Sequence, residues 1–168
     1  MEKLRRLLHG NWRDVVFGSL AVLVVIADQL TKSWIRTHLA YGEVLWDKGF
    51  VQIVHVQNTG ASFGIFTGQT LLIIIAVFIE MILILTIVYL FHKRLSFIDS
   101  MLMRVGAGLI FGGAIGNQID RLRLGHVTDF IDFKWWPAFN VADASAVIGA
   151  FIVAYCIIFL SGLGKRKT

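Results

Sequence analysis

Four stretches of this 168-residue chain are almost wholly apolar and each close to twenty residues long, running approximately over 15–35, 70–91, 101–119 and 141–162. A helix rises 1.5 Å per residue, so about 20 residues cross a hydrocarbon core roughly 30 Å thick while satisfying every backbone polar group internally. The pattern predicts an all-α polytopic membrane protein, a single integral membrane domain over 1–168 with four transmembrane helices. With 57% hydrophobic and 16% charged residues, the composition lies far from that of a soluble domain. The first stretch begins like a secretory leader, with basic residues before VVFGSLAVLVVIA and the small Ala27 after it. It continues through Asp28 and Lys32 to Trp34, however, which makes it a full span with an aromatic end.

The cations set an orientation. Ten of the sixteen Lys and Arg residues fall in the N-terminal segment (Lys3, Arg5, Arg6, Arg13), the second inter-span loop (Lys93, Arg94, Arg104) and the tail (Lys165, Arg166, Lys167). The other six, Lys32, Arg36, Lys48, Arg121, Arg123 and Lys134, belong to the remaining loops, about 36–69 and 120–140, with their flanks. The positive-inside bias therefore predicts a multi-pass protein with both termini cytoplasmic and these two loops outside.

Both outer loops carry strand patterns. From Tyr41 to Phe66, β-branched and aromatic residues nearly alternate, with Gly49, Gly60 and Gly64 as turn or bulge points. HVTDFIDF alternates too, placing Asp129, Ile131 and Phe133 on one face and Phe130 and Asp132 on the other, so Asp132 is expected to be solvated. The loops are expected to pair into a small sheet on the outer, extracytoplasmic membrane surface, with Trp46, Trp135 and Trp136 at headgroup level. Gly108, Gly112 and Gly116 recur every fourth residue, a stripe that lets another helix approach closely.

An ionisable group at membrane depth is costly, and function is the default explanation. Asp28, Asn117, Asp120, Asn140 and Asp143 all fall at the outer ends of their spans, and Asp129 on its short loop reaches the same level. Two carboxylates brought together away from bulk water share one proton, so that one takes a proton from water while the other donates to a carbonyl oxygen. Asp129 on a strand and Asp143 at a helix start suit that arrangement. Other readings compete: Asn140 followed by Asp143 fits helix capping as well as catalysis, and Asp120 beside Arg121 reads as an interfacial ion pair. His55 and His126 read as loop residues, and a Ser145–His126–Asp129 nucleophile lacks any supporting motif such as G-x-S-x-G. The lone Cys156 reads as a packed thiol, so no disulfide, metal or redox cofactor is expected, and without a basic face interleaved with aromatics no nucleic-acid partner is expected.

Five ordered blocks, ADQLTK at Asp28, QNTGASFGIF from Gln57, GGAIGNQIDR from Gly112, GHVTDFIDF from Gly125 and FNVADA from Phe139, resemble those of the bacterial lipoprotein signal peptidases, also called signal peptidase II. The resemblance covers nearly the whole chain. It implies a four-span aspartic protease of the bacterial cytoplasmic membrane with a strand-built cradle and its active site on the outer face. The implied activity is removal of the signal peptide from a prolipoprotein immediately before its lipid-modified cysteine. Carried over motif by motif, it puts the catalytic pair on Asp129 and Asp143 and supporting or substrate-binding roles on Asn58, Asn117, Asp120, Arg121, Asn140 and Asp28, while Gly60 is expected to permit close backbone approach of a substrate. The implied partners are diacylglyceryl prolipoproteins, membrane lipid and the cyclic peptide inhibitor globomycin, with no cofactor. Two residues depart from the pattern. Ser62 stands where family members often carry Ala, and Glu80, near the middle of the second span, fits no family motif and is expected to face a helix interface or bond to another span. Two readings from other classes are a small proton- or ion-coupled transporter relaying through Glu80, Asp28 and Asp120, and a scaffold built on the glycine stripe.

Overall fold

The computed structural model describes residues 2–60, 70–90 and 100–160. Helix α1 runs over Glu2–His38, followed by strands β1 (Val44–Asp47) and β2 (Gln52–Asn58), helices α2 (Thr70–Leu90) and α3 (Met101–Leu124), strand β3 (Val127–Asp132) and helix α4 (Val141–Tyr155). Past α4 the helix continues as a π-helical turn, Cys156–Leu160, which begins at the fully buried Cys156 thiol. The four helices match the four apolar stretches. Two of them are longer than expected, because α1 begins at Glu2 and α3 extends past 119, so Asp120 and Arg121 are helical and not part of a loop. Among the described residues, three segments are long and apolar enough to cross a membrane: Trp12–His38, Leu71–Tyr89 and Val141–Phe159. Helix α3 is not one of them, since five glycines and the polar run Asn117, Gln118, Asp120 dilute its apolar character.

That dilution follows from its position. Helix α3 is the central helix, flanked mainly by α1 and α4 and less closely by α2. The expected stripe Gly108, Gly112, Gly116 faces α1: a Cβ on Gly112 would lie 2.7 Å from the Ala21 carbonyl oxygen, and one on Gly116 would lie 2.7 Å from Asp28 Oδ2. A second small-residue face meets α4, where Gly113 abuts the Ala142 carbonyl and Gly149 packs on the backbone of Gly106. Removing side chains at these contacts lets helix backbones touch. On α1 the buried positions Phe17, Ala21, Val24, Asp28, Lys32 and Ile35 follow a helical period, and two of them are charged.

Among the described residues the strands form one antiparallel sheet in the order β1-β2-β3, so the two loops pair as the alternation predicted. The hairpin turns at Gly49, whose φ of 75° suits glycine and whose N–H donates to Asp47 Oδ1 at 2.8 Å. Gly64 and Ser62 lie outside the described residues. A bulge between Ile53 and Val56 shifts the β2–β3 register, so that Val56 opposes Asp129 and Asn58 opposes Val127. Phe130 fits against Ile35 of α1 and Leu39 just past its end, which seats the sheet on one end of the helices. After β3 the chain doubles back: Phe139 exchanges backbone hydrogen bonds with Ile131, and this return puts the start of α4 beside Asp129.

Candidate active site

The first turn of α4 organises the site. A helix start leaves backbone N–H groups without partners. Here the Asp143 N–H donates to Asn140 Oδ1 at 2.9 Å and the Asn140 N–H to Asp143 Oδ2 at 3.2 Å, a reciprocal capping box. The Ala142 N–H donates to Asp28 Oδ1 at 3.0 Å, so a carboxylate from α1 completes the cap. The capping reading of Asn140 and Asp143 is thus correct as geometry, and it leaves Asp143 Oδ1 facing elsewhere.

Three asparagines turn this frame into a carboxylate site. An Asn amide has an accepting oxygen and a donating nitrogen, and its orientation is decided by a neighbour that can only donate. The oxygen of Asn140 takes the Asp143 N–H, so its nitrogen points at Asp129 Oδ1, 2.6 Å away. The oxygen of Asn117 takes the Lys32 ammonium at 2.7 Å, so its nitrogen points at Asp143 Oδ1, also 2.7 Å away. The oxygen of Asn58 takes the Gly60 N–H at 2.9 Å, so its nitrogen points at Asp129 Oδ2 at 2.9 Å. The β2–β3 register sets this last contact, since Asn58 is the diagonal neighbour of Asp129 on one sheet face. Asn140 Nδ2 also reaches Asn117 Oδ1 at 3.0 Å, which links Asp129 to Asp143 through two side chains.

Both carboxylates line one cleft of about 610 Å³. Asn58, Asn117 and Arg121 line its polar part, and Phe133, Trp135, Trp136 and Phe139 supply much of its apolar wall. Asp129 is 1% exposed. Burial, then repulsion by Asp143, push its carboxyl up to about 7 against the opposing pull of Asn58, Asn140 and Lys32. A carboxyl raised in this way holds its proton in the folded chain between its ordinary value of 3.8 and about 7. It therefore lowers stability as pH rises through that window.

Behind the asparagines lies a buried ion network. Lys32 is 0% exposed and its ammonium contacts Asp28 Oδ2 at 2.8 Å and Asn117 Oδ1 at 2.7 Å, with Asp120 Oδ2 farther off at 3.7 Å. Asp120 also accepts from Arg36 Nη1 at 3.3 Å, Gln29 Nε2 at 3.2 Å and the Thr128 N–H at 3.0 Å.

These contacts correct several sequence-based expectations. Asp120 pairs with Lys32 and Arg36 and not with Arg121, whose Nη2 instead lies 3.5 Å from the Gly60 carbonyl oxygen. The cation counted with the outer loops at Lys32 is a buried centre of α1. Asp132 is half-buried and accepts from Gln52 Nε2 at 2.7 Å and from the Lys134 N–H at 2.6 Å, so it pins the β2–β3 edge. His55 belongs to β2 and is buried, with Nδ1 2.9 Å from the Leu39 carbonyl oxygen. Glu80 bonds to no neighbouring span among the described residues and lines a smaller cleft. Asp28 and Asp120 both meet Lys32, at one end of the helices, and do not trace a relay with Glu80. Sequence reasoning missed Lys32, Gln29, Arg36 and Thr128. The signal for Lys32 was present, since it lies four residues after Asp28 on the stripe that also carries Val24 and Ile35.

The family described as Signal peptidase (SPase) II matches this chain over residues 20–159. The chain is 46% identical over 137 residues to a protein of Dehalococcoides mccartyi named lipoprotein signal peptidase, covering 82% of this chain and 85% of that one. A lipoprotein signal peptidase of Moorella thermoacetica is 39% identical over 152 residues, covering 90% and 98%. Among solved structures, a bacterial membrane enzyme determined by the in meso method at 2.3 Å resolution superposes with a TM-score of 0.73 at 34% identity, covering 89% of each chain. The chain belongs to the signal peptidase II family and is a bacterial membrane peptidase.

Proposed function

We propose that the chain removes signal peptides from diacylglyceryl-modified prolipoproteins by cleaving before the lipidated cysteine, with Asp129 and Asp143 activating water. The observation that carries this reading is the set of three oriented asparagine amides, which hold the buried Asp129 and the half-buried Asp143 carboxyls at one cleft. The pair holds one proton. The ionised member takes a proton from water as its oxygen attacks the amide carbon, and the protonated member donates toward the carbonyl oxygen. Collapse of the hydrated amide expels the cysteine amine, which picks up a proton, and leaves a carboxyl on the signal peptide. Asn58, Asn117 and Asn140 hold the carboxylates, Arg121 and Gly60 meet the substrate backbone, and Asp28 and Asp120 act through Lys32 and the α4 cap as positioning residues.

The substrate's chemistry suits the cleft. Its acyl chains stay in lipid while its amide meets water, and an apolar wall with polar groups at one end suits both parts. We place α3 as a fourth crossing, its polar residues shielded by α1, α2 and α4, with both termini cytoplasmic and the sheet and cleft on the outer side. Globomycin is expected to compete for the same cleft.

Purified protein with a synthetic diacylglyceryl-cysteine peptide provides the test. Asp129→Asn and Asp143→Asn should each reduce cleavage by at least about a thousandfold while leaving the protein folded. The wild-type rate should fall as pH rises past about 7, where the pair loses its proton. Substantial activity in either variant removes the dyad.

A further inference from the structure

A second, narrower cleft of about 180 Å³ runs along α3 between α2 and α4. It shares Asn117, Arg121, Asp143 and Ala146 with the large cleft, so Asp143 stands between the two and borders both. Gly113, Ala114 and Ala146 give it a shallow floor of small residues, while Ile73, Val77 and Glu80 of α2 form one wall. The only ionisable side chain on that α2 wall is Glu80, and among the described residues it makes no hydrogen bond or ion pair.

Its depth can be measured along the helices. Gln118 Nε2 donates to the Ile74 carbonyl oxygen at 2.9 Å, which ties that turn of α2 to the level of Asn117 and Asp143. Helices α2 and α3 run antiparallel, since Ile84 and Leu85 pack with Ala107 and Phe111 farther down. Glu80 lies six residues beyond Ile74, about 9 Å from the site level at 1.5 Å per residue. A peptide spans that distance with about three residues when extended and about six when helical.

We propose that the narrow cleft receives the peptide segment on the amino side of the scissile bond, and that Glu80 selects a hydroxyl-bearing side chain there. The proposal rests on the peptidase reading above. A substrate whose amide lies at Asp143 must leave the site in two directions. The wide aromatic-walled cleft suits the lipidated side, whereas the small-residue floor admits a narrow peptide. A carboxyl at that depth has little water to bond, so a substrate Thr or Ser that meets it gains a hydrogen bond with little competition, while an aliphatic side chain leaves it unpaired.

Lipidated peptides that differ only by Thr or Val, nearly isosteric, at each position from two to six residues before the cysteine test this. In the wild type, one position should favour Thr by about five- to tenfold in kcat/KM. Glu80→Leu should bring that ratio to about one, and Glu80→Gln should keep part of the preference. Cleavage of both peptides with no preference at any position overturns the Glu80 assignment alone, as does a preference that survives Glu80→Leu. Failure of the wild type to cleave either peptide overturns the peptidase reading along with it.

Discussion

Helix α3 meets α1 and α2 in different ways. Toward α1 it presents glycines against backbone, and the interface ends in a buried cluster of Asp28, Lys32, Asn117 and Asp120. Toward α2 the contacts sit at the two ends, an apolar and aromatic cluster around Phe17, Val88 and Ala107 at one and the Gln118 bond to Ile74 at the other. The narrow cleft lies between them. The first interface holds carboxylates in place, which needs short distances and no slack. The second can part without disturbing the asparagines, since among the described residues none of their hydrogen bonds reaches α2. The proposed reaction needs both, because a lipidated substrate would enter from the bilayer while the proposed catalytic groups stay fixed.

Stability changes in detergent micelles would break or sharpen this contrast. The largest loss is expected for Lys32→Met, about 3–5 kcal/mol, because Asp28 and Asp120 would then be buried without their shared cation. A value near zero would show that the ion cluster does not hold the α1–α3 frame. Gly116→Ala comes next at about 1–3 kcal/mol, since the new methyl would press on Asp28 Oδ2. That variant should also lose peptidase activity, because displacing Asp28 disturbs the Ala142 cap. The smallest effect, about 1 kcal/mol or less, is expected for Gln118→Leu, which removes one bond and a buried amide oxygen that has no partner. A larger loss there than for Lys32→Met would reverse the comparison.

Much of the architecture was legible because its physics is local. Apolar runs of spanning length, the four-residue glycine period and the alternation in HVTDFIDF each map directly onto a helix, a close contact or a strand. The candidate residues were legible as polar exceptions to apolar surroundings, and the structure brings Asp129, Asp143, Asn58, Asn117 and Arg121 to one cleft. Their partners were not. Asp120 and Arg121 are adjacent in sequence, yet a helix points neighbouring side chains about 100° apart, and so Asp120 turned to α1 while Arg121 turned to the cleft.

The sequence by itself determined that this chain would bury long apolar helices and that its acids would need a reason to be there, since both follow from the cost of moving charge and backbone out of water. Only the tertiary structure decided which groups hold each acid. Asn117 is oriented by a donor far away in the chain, Lys32, 85 residues before it, and no local pattern carries that information.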